Sequence, residues 1–392
     1  MGFNSIDDLV SEMSNGKTSR TDWNKVTSGT AALVAGTYND LSQFGGTPVA
    51  AAYPGAALVA QTPMDQGAGT TPSFGLWHGG NVSPDTKHLI NIGAYATAAT
   101  AVPAVLHLID IVMYYPGIPL NSTTQQVMIN SNTFTASSSS GLLLTHTNDF
   151  GSTVSTITTV KFTTTTTLPT GLNTTDTFYL VRQTSTTSKV STSIANAIAG
   201  TFIAFTDAGT GTHTLTVTPN RYADGASLRM ALIATNTTTT SVSTPVQDNT
   251  ATTGTEYINQ AGATKQFGAA VNLTGFGTNI PLQSRIVHST TAANGYGPSL
   301  PLAAGDTGIQ RLRTYRLSTA YTGASVAAAV LYRPIATIPI VTTAVAGERN
   351  LVMQLPSLPR IYDGACLSHL ALWGQNAATN SSIMGYIDTA WG

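Results

Sequence analysis

The sequence predicts a mainly β chain, with a β-sandwich or jelly-roll-like body, a short N-terminal helix and an inserted small β domain. Three observations carry that expectation. Threonine, at ease in strands exposed on one face, occurs 66 times in 392 residues, 31 of them between 151 and 250. Between about residues 121 and 218 turn signals recur every ~8–12 residues, as in LPTGLNTTD and DAGTGTH, the spacing of a small sandwich or barrel. Clear helical periodicity is confined to residues 5–14.

In that first segment Ile6, Leu9, Val10 and Met13 follow the i, i+3, i+4, i+7 pattern of one helix face. Ser5 followed by Asp8 is a capping box with Asp in place of Glu, and Asn15-Gly16 supplies the stop. Asp7 and Asp8 lie at the positive end of the helix dipole. The polar stretch GKTSRTDWN comes next, so residues 1–26 read as a helix and arm ahead of a β body.

Residues 27–120 alternate strands with turns such as GGTP, YPG and HGGN. Within them Leu106, Leu108, Asp110 and Val112 alternate with His107, Ile109, Ile111 and Met113, leaving both faces nearly apolar. A strand buried on both sides reads this way, and Pro116 and Pro119 are expected to end it. Residues 121–218 change to Thr-rich β text and are expected to form an inserted β domain, with SIANAIAGT as a short turn. Residues 236–255 are low-complexity and read as a long loop. From 219 to 392 the earlier style returns, so 27–120 and 219–392 are expected to pack together as one discontinuous body whose C-terminal segment is tied into a sheet.

Charged residues make up 9% of the chain, against about 25% in an ordinary soluble domain, while 42% are hydrophobic. That balance excludes disorder and heptad coiled coils. A net charge of −1 gives no basic surplus to neutralise phosphates, so no nucleic-acid partner is expected. No apolar run approaches the ~18 residues of a membrane span, and the acidic first residues do not read as a signal peptide. The single Cys366 excludes a disulfide framework and reads as a core thiol. So little charge suits a surface that partners cover.

Chemistry-bearing motifs are scarce, and no cofactor is expected. There is no G-x-S-x-G elbow. The GKT at 16–18 follows a helix and lacks the first glycine of a phosphate loop. The seven histidines (78, 88, 107, 146, 213, 288 and 369) show no metal-ligand spacing. Asp224-Gly225 and Asp363-Gly364 read as turns, as does Asp85. Arg311, Arg313 and Arg316 form the one dense charge feature. On a strand Arg311, Arg313 and Tyr315 share a face, which serves either a subunit contact or a solvated edge. The helix likewise docks on a partner or packs on its own body. Candidate subunit contacts are therefore Ile6, Leu9, Val10, Met13, Trp23, Arg311, Arg313, Tyr315 and Arg316.

Several segments carry a resemblance. LPTGL (168–172), FYLV (178–181), SKVSTS (188–193), NAIAGT (196–201) and AGTGTHTL (208–215) are similar to a small β module that recurs in phage virion proteins. HLIDIVMYYPGI, RYADGASLRM, YGPSLPLAAGDTG, LPSLPRIYDGACL and the final GYIDTAWG resemble a structural-protein family of tailed bacteriophages. Together these cover most of the chain from about residue 76. The resemblance implies a virion component with no catalytic residues. The major capsid fold has a long spine helix, for which this sequence offers no candidate. The implied role is therefore a capsid cement or decoration protein on the phage head, made in the bacterial host cytoplasm. Its partners would be the major capsid protein or other virion proteins, and it would be a homo-oligomer, with a trimer expected. The alternatives are a tail, collar or baseplate component and a host-glycan-binding adhesive protein; an enzyme such as a depolymerase is the third class.

Overall fold

The computed structural model describes residues 3–26, 35–50, 53–63, 75–97, 104–137, 141–151, 154–235, 253–268, 286–287, 297–321, 326–354, 357–374 and 382–392. His288 and most of the expected 236–255 loop lie outside these residues.

Helix α1 (Ile6–Ser14) starts as its sequence dictates. The Ser5 hydroxyl accepts the Asp8 amide at 3.1 Å, and the Asp8 carboxylate accepts the Asn4 amide at 3.1 Å, one residue outside the usual box. Gly16, at φ +82°, turns the chain into β1 (Thr18–Val26). Then come β2 (Tyr38–Asp40), β3 (Gly45–Thr47), β4 (Lys87–Ala96), β5 (Ala104–Pro119) and β6 (Gln126–Val127). The Thr-rich region supplies β7 (Ser131–Ala136), β8 (Leu144–His146), β9 (Ile157–Thr164), β10 (Phe178–Arg182), β11 (Thr187–Ser191), helix α2 (Ile194–Ala199) and β12 (His213–Val217). The second half adds β13 (Arg229–Ala234), β14 (Glu256–Asn259), β15 (Thr264–Gln266), β16 (Ile286–Val287) and β17 (Ile309–Tyr315). It ends with β18 (Val326–Ile340), β19 (Gly347–Asn350), β20 (Arg360–Ile361), β21 (Leu367–Trp373) and β22 (Ser382–Trp391).

The fold is mainly β, as the sequence predicts. One sheet runs β19-β4-β22-β1-β3, with β20 also on β4, and a second runs β16-β13-β18-β5-β21-β2. They enclose a core that contains Trp23, Leu89 and Ile387 from the first sheet and Leu106, Leu108, Ile338 and Leu367 from the second. This pair of sheets is the sandwich. A third sheet, β15-β14-β17-β6, and a closed barrel, β10-β11-β8-β7-β12-β9, share another core with the far half of β5 and β18. Met113, Tyr115 and Leu331 meet Tyr257 and Leu312 of the third sheet and Phe134, Phe162 and Phe178 of the barrel there. The long β5, expected to be buried on both faces, is thus the spine of two cores.

Three expectations need correction. Residues 18–26 are not part of an arm: β1 pairs with β22 on one side and with β3 on the other. Trp23 sits opposite Gly385, where an added Cβ would lie 2.5 Å from the indole, so the glycine lets the ring lie across β22. Pro116 does not end β5. The ladder to β18 shifts register between Ala327 and Ala329, and that irregularity absorbs a residue that cannot donate. The inserted unit begins near 131 rather than 121, because β6 pairs with β17 of the third sheet. Its aromatic core is continuous with the body's, so the barrel is seated on the body through packing.

Candidate functional site: an arginine–tyrosine groove above a buried ion pair

The body's chain segments meet at Asp110. This residue lies mid-way along β5, opposite Arg333 of β18 and Leu367 of β21. A carboxylate inside a sheet buried on both faces needs a cation, and the chain returning from the barrel supplies Arg221. Arg221 Nε and Nη2 each donate to an Asp110 oxygen at 2.7 Å, and Nη2 also donates to the Ile111 carbonyl at 2.8 Å. The Cys366 amide donates to Asp110 Oδ1 at 3.0 Å. Both side chains are 1% exposed. Burial opposes the guanidinium charge, but the field and hydrogen bonds of Asp110 outweigh it and hold the Arg221 pKa above its ordinary value.

Two Asp-Gly turns stand over this pair, as their sequences predict. Asp224 Oδ1 accepts the Ala226 amide at 3.1 Å, and Asp363 accepts the amides of Val82 and Ser83 at 2.9 and 3.1 Å. Both carboxylates are engaged by backbone and serve as turn formers. The tyrosines that precede them meet: Tyr222 and Tyr362 pack edge to face, with centroids 4.9 Å apart at 73°. Arg333 lies 4.5 Å over Tyr222, and Arg360 lies 4.3 Å over Tyr362. The result is a four-membered Arg-Tyr-Tyr-Arg ladder. Burial raises the pKa of the Tyr222 phenol, which therefore stays neutral. Two lobes of about 210 and 250 Å³ flank the ladder and share Arg360 and Tyr362. The floor of the smaller lobe includes Lys87, whose buried ammonium donates to the carbonyls of His78 and Gly80.

A second concavity, about 600 Å³, opens on the barrel between Thr133, Thr135, Thr145, Thr147, Thr212 and Gly209. His146 and His213 reach it with both ring nitrogens bonded. A carbonyl can only accept, so His146 Nδ1, 2.9 Å from the Asn148 carbonyl, carries the proton. Nε2 then accepts from the Ser188 hydroxyl at 2.9 Å. That is the hydrogen-bond order of a base and its nucleophile, but Ser188 is 2% exposed, and the bond serves the barrel core.

The predicted contact residues scatter. Leu9 is buried against the chain's own sandwich and Met13 packs beside it, while Ile6 and Val10 remain 46% and 55% exposed. Of the two readings of the helix, packing on its own body describes Leu9 and Met13. Trp23 is in the core, its ring centroid 4.4 Å from that of His369. Arg311, Arg313 and Tyr315 do not share a face, because β17 shifts register against β14 between Leu312 and Thr314. Tyr315 turns into the core and Arg311 is half-buried. Arg313 pairs with Glu256 at 3.5 Å, and Arg316 donates to the Thr123 carbonyl at 3.0 Å.

Neither a protein-family model nor a curated protein sequence matches the chain.

Among the described residues no group of three or more His, Cys, Asp or Glu is placed to hold a metal ion, and no helix is long and apolar enough to cross a membrane. The ladder residues Tyr222, Arg333, Arg360 and Tyr362 were not among the predicted contacts. Three of them have a trace in the sequence, Tyr222 in RYADG and Arg360 and Tyr362 in RIYDG, each ahead of an Asp-Gly turn, whereas Arg333 lies apart in LYRPI.

Proposed function

We propose that this chain is a non-enzymatic structural protein of a tailed-phage virion, acting as a cement or decoration protein on the capsid. The observation that carries the reading is the convergence at Asp110. HLIDIVMYYPGI, RYADGASLRM and RIYDGACL, which bear the resemblance, supply Asp110, Arg221 and the Cys366 amide to one buried joint. The work done by these segments is architectural: they lock the spine strand, the chain returning from the barrel and the β21 strand together. Scarce charge and the exposed Ile6 and Val10 suit a surface covered in an assembly. In such a role, contacts weak in themselves are repeated by symmetry until they clamp a shell.

The threonine-lined cleft on the barrel supports the adhesive alternative, since uncharged hydroxyls in a concavity suit a glycan. Peptide mass fingerprinting of gradient-purified phage particles tests the main reading. It predicts the chain among the abundant particle proteins; its absence from particles, with the chain left in the soluble lysate, would contradict it.

A further inference from the structure

The two arginines of the ladder are committed to tyrosine rings and to nothing else. Among the described residues, neither the Arg333 nor the Arg360 guanidinium makes a hydrogen bond or an ion pair beyond its stack. Arg182, Arg221 and Arg313, by contrast, each face a carboxylate within the chain. Stacking fixes the plane of a guanidinium while leaving its N–H edge available, and that edge is the fork that matches a carboxylate with two parallel bonds. The edge-to-face contact of Tyr222 and Tyr362 joins the two stacks, so the forks sit at opposite ends of one rigid ladder. Pro334 and Pro359 line the same groove and stiffen its walls. A ligand therefore meets donors already ordered, and less side-chain entropy is lost when it binds.

We propose that this groove docks an extended acidic segment of a partner protein, with Arg333 and Arg360 each taking a carboxylate and the tyrosine rings seating the groups between. Two joined lobes fit a strand of peptide better than a single small anion. Asp85 and Asp363 border the smaller lobe, where Asp85 is already paired with Lys17 at 3.0 Å. A continuous phosphate backbone would run against these carboxylates, whereas a peptide places its charges singly. Arginine and tyrosine are also the residues that most often anchor protein interfaces.

Fluorescence anisotropy on the full-length recombinant chain tests this, with a fluorescein-labelled peptide of alternating Glu and Tyr as the probe. Saturable, salt-sensitive binding is expected, weakened about tenfold or more in the Arg333→Gln/Arg360→Gln variant. Arg313→Gln, on the third sheet, should bind as the parent does. Arg333→Lys/Arg360→Lys keeps the charge but loses the planar stack, and should bind more weakly than the parent. Unchanged circular dichroism and Tm would show that the variants are folded. No saturable binding by the parent, equal binding by the Gln variant, or stronger binding of an oligothymidylate probe would each overturn the assignment. No particle enters the assay, so failure here leaves the virion reading untouched.

Discussion

Replacing Asp110 by Asn should be among the most damaging single changes in the body. It leaves the Arg221 guanidinium, 1% exposed, without its counter-charge, and turns one of two 2.7 Å charge-assisted bonds into a donor–donor clash. Breaking one side of a buried ion pair costs about 3–5 kcal/mol, most of it from the charge left uncompensated. The Cys366 amide and the Arg221 guanidinium, both donors, compete for the one side-chain oxygen that remains, so the damage should reach both β5 and β21. Guanidinium chloride unfolding followed by tryptophan fluorescence reads it, because Trp23 and Trp373 are buried in the adjoining core. The double variant Asp110→Leu/Arg221→Met removes both charges and should recover most of the loss, since apolar replacement of a whole buried pair is often neutral. An Asp110→Asn midpoint within about 1 kcal/mol of the parent would refute the view that this pair is the joint of the body.

Three further outcomes are expected. Burial, followed by the fields of Lys25 and His107, lowers the His369 pKa to about 3, while its unfolded value is near 6.5. The folded state thus resists the proton, and stability present above pH 6.5 is lost as pH falls toward 3. About 3 kcal/mol of the fall between pH 7 and pH 4 should be missing in His369→Phe, and identical acid slopes in parent and variant would contradict this. Deleting residues 1–26 removes β1 from the interior of the first sheet and should give insoluble protein; deleting 1–16 should leave a soluble, less stable chain by size-exclusion chromatography. Gly225→Ala should cost about 1–3 kcal/mol in urea unfolding, because a Cβ at φ +73° would meet the Ile309 backbone at 2.5 Å.

The sequence made some of this legible and hid the rest for physical reasons. The helix was readable because Ser5, Asp8 and Asn15-Gly16 act within a few residues of one another. The spine strand was readable because its apolar run, 107–115, has no amphipathic alternative. The place of β1 was not, since TSRTDWN alternates weakly and its partner β22 lies more than 350 residues away. The shared arginine face failed for a different reason. Strict alternation assumes an unbroken ladder, and β17 carries a register shift between Leu312 and Thr314 that breaks the alternation ahead of Tyr315. The two Asp-Gly turns were each evident, but their meeting across 140 positions of chain, Tyr222 against Tyr362, comes from tertiary packing that no local pattern contains.

Immunogold labelling of phage particles purified from the culture that makes this chain, with antibody raised against the recombinant protein, tests the central claim most directly. Gold spread evenly over the heads is the predicted result, and it would place the chain on the capsid surface. Gold confined to tails, or particles left bare by an antibody that recognises the recombinant chain, would contradict it.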